Sequence, residues 1–158
     1  NNVFAERCVI EVLQNELVRT DFSNANLKGV EISTSDPHNN FINFVDFSNA
    51  DMTGIELSNL TFEACKFNGT NLKNSNMSNN VFLLCEFVDA KFNGSEFFAT
   101  AYQDVSFRNA KIIDVYFESS LFIDTNFSNA DLKGTTFEGE LITSGYNVLS
   151  CKNNQICN

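Results

Sequence analysis

The chain has 158 residues, with 20 acidic and 10 basic side chains and a formal net charge of -10. This length is enough for one domain whose core needs no metal or disulfide support. The excess of acid argues against direct binding of nucleic acid and against docking on an anionic membrane surface. The sequence also contains no run of 18 apolar residues that would span a bilayer.

The segment 1–16 differs in pattern from the rest of the chain. Val9, Val12, Leu13 and Leu17 lie at helix-like spacing. We therefore predict that this segment forms an N-terminal cap that contains a short helix.

Residues 17–142 have a period of five. Every fifth position from Leu17 to Ile142 is large and apolar in 25 of 26 cases, Pro37 being the exception, and 13 of the 17 Phe residues fall in this series. Two residues earlier, most positions hold Ala, Ser, Thr, Cys or Val; two residues later, Asn, Gly, Asp and Ser are common and favour turns. Neither a helix nor a flat strand keeps such a pattern for this length. The period predicts a chain that turns a corner every five residues, with large and small side chains alternately directed inward.

The repeat resembles the pentapeptide-repeat family, whose motif A(D/N)LXX is matched closely by Ala25–Gly29, Ala50–Gly54 and Ala130–Gly134. The resemblance extends over about residues 15–142. It implies an all-β fold, a right-handed quadrilateral parallel β-helix with four units per coil and about 6.5 coils. The predicted domains are then the cap at 1–16, the β-helix at 17–142 and a C-terminal cap or tail at 143–158.

One segment interrupts the repeat, from Ser33 to Asn40. Pro37 stands at a central position, where it removes a strand donor, and its polar neighbours predict a loop. Ile42 and Phe47 are again in phase with the period. Two interpretations stay open, a bulge on an otherwise smooth surface or a recognition loop.

Positions four repeat units apart are predicted to stack on one face of the β-helix. The face centred on Leu57, Met77, Phe97, Phe117 and Phe137, here called the acidic face, has outward carboxylates and neither Lys nor Arg: Asp36, Glu56, Glu96, Glu118 and Glu138. One interpretation is a solvated face that keeps the rod soluble. The other is electrostatic imitation of nucleic acid, since regularly spaced carboxylates suit a groove built for phosphates.

The next face, centred on Ile42, Phe62, Phe82, Tyr102 and Phe122, is here called the apolar face. Its outward, flanking and corner positions include a ladder of large apolar side chains: Phe41, Phe44, Val81, Leu83, Leu84, Leu121, Ile123 and Leu141. Contiguous exposed apolar patches are uncommon on soluble monomers. The ladder predicts an interface with a partner or a second copy; the alternatives are coverage by a terminal segment and unconnected surface residues. The remaining two faces mix Lys and Arg with acids and amides, at Lys66, Lys73, Lys91, Lys111, Lys133 and Arg108.

The chain offers little for catalysis or metal binding. Cys65 and Cys85, four repeat units apart in the small inward series, are predicted to be buried free thiols, while a disulfide between Cys151 and Cys157 stays open. His38 is the only histidine, and its proximity to Asp36 in a polar loop does not make a catalytic pair. No nucleophile, phosphate-binding or metal motif is present, so we predict no catalytic residue, no metal, no cofactor and no enzyme activity.

The sequence therefore predicts a non-catalytic, rigid solenoid scaffold. It would bind a protein partner through its flat outer faces and form a homodimer, without direct contact to nucleic acid or membrane. The resemblance extends in repeat and acidity to the quinolone-resistance proteins of the Qnr type, which implies a second hypothesis, a DNA mimic that inhibits or protects a type II topoisomerase such as DNA gyrase. A third is a secreted or host-directed effector module. A soluble, cytoplasmic location is favoured over export.

Overall fold

The computed structural model describes residues 9–11, 17–34, 40–139, 143–144 and 152–154. The regular elements in these ranges are short β-strands, with no helix. They are β1 (Val9–Glu11), β2 (Glu31–Ser33), β3 (Phe41–Asn43), β4 (Glu56–Leu57), β5 (Thr61–Glu63), β6 (Val81–Leu83), β7 (Glu96–Phe98), β8 (Ala101–Gln103), β9 (Tyr116–Glu118), β10 (Leu121–Ile123), β11 (Thr136–Glu138) and β12 (Thr143–Ser144).

The strands stack as a right-handed parallel β-helix of about six turns, which confirms the predicted fold. Phe62 lies opposite Phe82, and Phe97 lies opposite Phe117, so each central residue here meets the one four repeat units later, as predicted. One face is a six-stranded sheet in the order β12-β10-β8-β6-β5-β3. A second face has two three-stranded sheets, β1-β2-β4 and β11-β9-β7, joined through bridges at Asn76. Isolated parallel bridges hold the other two faces together.

Tight turns make the corners that follow these two bridged faces. The Ala90 N–H donates to the Phe87 carbonyl oxygen over 3.2 Å, and Asp89, between them, has a φ of 60°. A positive φ at the third residue is the requirement of a type II turn, which Gly and Asn satisfy with little strain. This explains why Asn, Gly and Asp recur two positions after each central residue.

The interior is built from columns of stacked rings. Phe67, Phe87 and Phe107 lie one above another, with centroids 4.6 and 5.1 Å apart and rings nearly parallel. Offset stacking at this distance is a favourable aromatic arrangement, and each ring also loses its contact with water. The three ring columns run through Phe22, Phe47, Phe67, Phe87, Phe107 and Phe127; through Phe62, Phe82, Tyr102 and Phe122; and through Phe97, Phe117 and Phe137.

The small inward side chains bind backbone carbonyl groups of the preceding coil and of their own coil. The Thr70 hydroxyl donates to the Phe47 carbonyl oxygen over 2.8 Å, and the Asn80 amide donates to the carbonyl oxygens of Leu57 and Met77. These bonds allow polar groups to be buried without an unsatisfied donor. Cys65 and Cys85 lie in the same series as buried free thiols, as predicted, and burial raises the pKa of the Cys85 thiol well above its ordinary value.

Both predicted caps contain strands where the structure describes them. Val9–Glu11, within the segment predicted to hold a helix, is strand β1 and pairs with β2; residues 1–8 and 12–16 lie outside the described residues. At the other end, Thr143 pairs with Phe122, and Lys152 forms a bridge with Asp131. The pairing of β12 is displaced by a single position from the repeat, so Thr143 occupies the place that the period assigned to Ile142.

The interruption after Ser33 enlarges one coil. Glu31 pairs with Glu56, and Val18 pairs with Asn43, so residues that meet across this segment are five repeat units apart rather than four. The segment therefore adds one whole unit, and the phase of five is preserved while every earlier residue moves by one face. Residues 35–39, including Pro37, lie outside the described residues.

We expect Phe87→Asp to unfold the protein, because Phe87 is fully buried between Phe67 and Phe107 and an unpaired charge there has no compensating group. The loss should exceed about 4 kcal/mol in the free energy of unfolding. Lys73→Gln, at an exposed outward position, is the control and should change it by less than about 0.5 kcal/mol. Circular dichroism during thermal denaturation measures both, and an unchanged cooperative transition for Phe87→Asp would contradict the ring columns.

Tyr102 supplies a second prediction. Its ring stacks between Phe82 and Phe122, and its Oη is buried with no hydrogen-bond partner among the described residues. Tyr102→Phe keeps the ring and removes the unsatisfied hydroxyl, so it should raise the free energy of unfolding by about 1 kcal/mol.

The same burial raises the pKa of Tyr102 well above its ordinary value. The unfolded chain ionises this group near pH 10 and the folded chain does not, so stability should fall as the pH rises above about 10. Chemical denaturation at pH 8 and pH 10.5 should show a smaller loss for Tyr102→Phe. If the free energy of unfolding falls equally in the wild type and in Tyr102→Phe, the Tyr102 hydroxyl must reach solvent or a hydrogen-bond partner in the folded protein.

Candidate interaction surfaces

The structure brings most of the predicted apolar residues onto one sheet. Val81 and Leu121 lie in the column that begins with Phe41, and Leu83 and Ile123 lie in the parallel column on the other side of the buried centres. These four aliphatic side chains are half-buried, whereas Phe41 is 38% exposed. The polar residues Thr61, Glu63 and Gln103 interrupt the columns, and Leu141 lies outside the described residues.

Two large apolar side chains stand at the corner beside this face. Phe44 is 53% exposed and Leu84 is 57% exposed, and their φ values are 58° and 54°. The left-handed region costs a residue with a Cβ roughly 1–2 kcal/mol, and Asn or Gly tolerates it better. An exposed Phe or Leu is therefore not what the backbone conformation favours at these two positions.

Sequence reasoning missed Val18 and Arg19 at the start of this face. Val18 is exposed and pairs with Asn43, and the Arg19 guanidinium lies 5.7 Å from the centroid of the Phe44 ring. Both were hidden by the extra repeat unit in the enlarged coil, which moves residues before Ser33 by one face.

The acidic face keeps four of its five predicted carboxylates. Glu56 and Glu96 lie in one column, with Asn76 between them, and Glu118 and Glu138 lie in the parallel column. Glu31, rather than Asp36, is the neighbour of Glu56, and Asp36 lies outside the described residues. No Lys or Arg is present on this face among the described residues.

Exposed aromatic residues accompany these carboxylates, which the sequence analysis did not predict. Phe98 is 47% exposed and Tyr116 is 38% exposed. Glu96 pairs with Tyr116 and Phe98 pairs with Glu118, so carboxylates and rings alternate around a shallow depression of about 370 Å³. The available signal was that only four Phe residues leave the repeat series: Phe4, Phe41, Phe44 and Phe98.

The two remaining faces carry different charges. Lys66 and Arg108 lie on the face centred on Phe47, Phe67 and Phe87, together with Asp46 and Glu86. Lys73, Lys91, Lys111 and Lys133 lie on the face centred on Leu72 and Phe92, which is here called the lysine face.

The described residues contain no group of three or more His, Cys, Asp or Glu side chains that would hold a metal ion. In the same ranges, no helix meets the length and hydropathy needed to cross a membrane. His38 lies outside them.

The geometry defines a β-solenoid scaffold with four chemically different faces. The sequence profile of the family described as pentapeptide repeats matches residues 42–79 and 103–139, with eight copies. The repeats in these two ranges therefore match the family that the resemblance implied.

The fold is shared with a solved structure. That of QnrB1, a plasmid-mediated fluoroquinolone resistance protein, superposes with a TM-score of 0.62 at 16% identity, covering 92% of this chain and 75% of that one. Rfr23, a pentapeptide-repeat protein from the cyanobacterium Cyanothece 51142, aligns with a TM-score of 0.37 at 13% identity, over 89% of this chain and 87% of its own. No curated protein sequence matches the chain.

We expect Tyr116 to titrate with a pKa of about 12, because its hydroxyl donates to a Glu138 carboxylate oxygen over 2.8 Å. Ionisation of Tyr116 would break this hydrogen bond and place a further negative charge beside the carboxylates of Glu138 and Glu118. An NMR titration of the tyrosine ring carbons measures the pKa, and Glu138→Gln should lower it. A Tyr116 pKa near 10 in both proteins would show that the contact does not form in solution.

Proposed function

We propose that the chain is a non-catalytic scaffold that associates with a second copy through the apolar face and presents its other faces to a protein partner. The observation that supports this most directly is the exposed Phe44 and Leu84 at positive φ, beside the sheet that bears Val81 and Leu121. Burying apolar surface is the principal driving force of association. In a two-fold symmetric dimer, the apolar face of each copy contacts the apolar face of the other, so neither face stays exposed to a third copy.

The corner residue Leu84 allows stability and association to be separated. Leu84→Asn places at a φ of 54° a residue that tolerates this conformation better, so the free energy of unfolding of the monomer should stay equal or rise by up to about 1 kcal/mol. The same change removes apolar surface from the interface, so the dimer dissociation constant should increase about tenfold. Sedimentation velocity and chemical denaturation measure the two quantities. A stabilised variant with unchanged association would contradict this use of the face.

Leu121→Lys tests the centre of the same face. Leu121 is half-buried in the column shared with Val81 and Ala101, and a lysine there would leave an ammonium group in the contact. Light scattering should report a dimer for the wild type and a monomer for the variant. Val88→Lys is the control, because Val88 is an outward, half-buried apolar residue on the face centred on Phe87. A wild type that is monomeric at micromolar concentration would overturn the proposal.

The acidic face supports a second candidate, imitation of nucleic acid toward DNA gyrase. Its support is the carboxylates Glu56, Glu96 and Glu118 in the two columns of a face without a described cation, together with the fold shared with QnrB1. A supercoiling assay with gyrase, with and without a quinolone, tests it. The triple change of these glutamates to Lys should abolish an effect seen with the wild type, and no effect of the wild type at micromolar excess would rule the candidate out.

A further inference from the structure

Positive charge is concentrated on the lysine face. Six of the ten Lys and Arg residues lie there, against three Asp residues, Asp51, Asp114 and Asp131, which leaves this face at about +3 on a chain of net charge -10. The six are Lys28, Lys73, Lys91, Lys111, Lys133 and Lys152.

Two of these lysines repel each other in the fold. Lys91 and Lys111 are directly opposite each other on neighbouring coils, with the uncharged Asn71 on the other side of Lys91 and Asp131 on the other side of Lys111. Like charges directly opposite each other are destabilising. Among the described residues the ion pair found is Lys28 with Asp51, at 3.1 Å, so Lys91 and Lys111 have none. Asn26 and Asn71 occupy the same column, which shows that an uncharged side chain fits it.

The complementary surface lies on the adjacent face at the same height. The coils of Lys91 and Lys111 continue directly into the acidic face: Glu96 follows Lys91 by five residues, and Tyr116 and Glu118 follow Lys111 by five and seven. There the two carboxylates alternate with the exposed rings of Phe98 and Tyr116 around the depression of about 370 Å³. Carboxylates and aromatic faces are the groups that bind ammonium ions.

We propose that the lysine face of one copy docks on the acidic face of a second copy, with the two rods parallel and level. In this arrangement Lys91 and Lys111 of one copy face Glu96, Glu118 and the two rings of the other. The apolar face takes no part, so the contact is independent of the proposed dimer. Screening by salt should weaken it, because all the groups are at the surface.

The contact is heterologous, and the shape of the coil determines how it closes. The two faces are neighbours on a four-sided coil, so each added copy is turned by about 90° about the rod axis relative to the last. Four such turns return to the first copy. The proposed assembly is therefore a closed ring of up to four rods. Repulsion between copies of net charge -10 opposes it, so the attraction between the two faces must exceed this repulsion.

The test uses two charge-reversed variants. Neither should associate by itself, but the two should associate with each other when they are mixed. One variant is Lys91→Glu with Lys111→Glu, which places carboxylates at the contact on both faces; the other is Glu96→Lys with Glu118→Lys, which places ammonium groups at the contact on both faces. In about 50 mM salt, sedimentation velocity should show association of the wild type that is lost in about 500 mM salt. Each variant alone should lose it, with at least a tenfold rise in the dissociation constant, and an equimolar mixture should regain it.

The control is Lys66→Glu with Arg108→Glu, on the face centred on Phe67. It changes the net charge by the same amount as Lys91→Glu with Lys111→Glu. It should keep the salt-sensitive association, and circular dichroism should show that every variant is folded. The proposal is overturned if the folded wild type shows no salt-sensitive association, if the mixture stays dissociated, or if the control loses association to the same extent. The dimer through the apolar face is read separately, because it persists in high salt and responds to Leu121→Lys.

Discussion

Contact between successive coils holds this fold together. The backbone N–H of Lys66 donates to the carbonyl oxygen of Val45 in the preceding coil over 3.0 Å. The backbone N–H of Phe67 donates to the carbonyl oxygen of Glu86 in the following coil over 2.7 Å. The Phe67 ring meanwhile stacks on Phe47 and Phe87. One coil alone has neither the hydrogen bonds between coils nor the stacked ring contacts, so stability arises between neighbours and the ends require cover. The strands β1 and β12 provide part of that cover in the described residues.

Because the interior and the backbone hold the fold, the outward positions are free to vary. Each coil exposes side chains on four faces, and the chemistry of these side chains differs from one face to the next. The acidic face has no described cation, the adjacent lysine face has the largest share of the positive charge, and the apolar face has exposed Phe and Leu at its corner. A chain with a uniformly solvated surface would not show this separation. The contrast between the faces is therefore the main guide to function.

Side chains that are energetically unfavourable for the isolated rod indicate functional positions more specifically than composition does. Phe44 and Leu84 adopt a left-handed backbone conformation while exposed, and Lys91 lies opposite Lys111. Each choice is unfavourable for the isolated rod by ordinary propensity or by charge repulsion. Tyr102, by contrast, is unfavourable in the interior, where no partner has access, and the structure shows no compensation for it.

The inward series could be predicted from the residues alone, because a period of five is local and recurs in every unit. The four-sided β-helix, and with it the stacking of the rings, was implied by the resemblance to the pentapeptide-repeat family. Most members of the acidic and apolar faces after residue 40 could be predicted too, since the relation between coils is constant there. The pairing of Glu31 rather than Asp36 with Glu56, the place of Val18 on the apolar face and the strand in the N-terminal cap could not. Insertion of one repeat unit preserves the five-residue phase but moves the chain by one face, so only the pairing between distant coils decides which side chains share a surface.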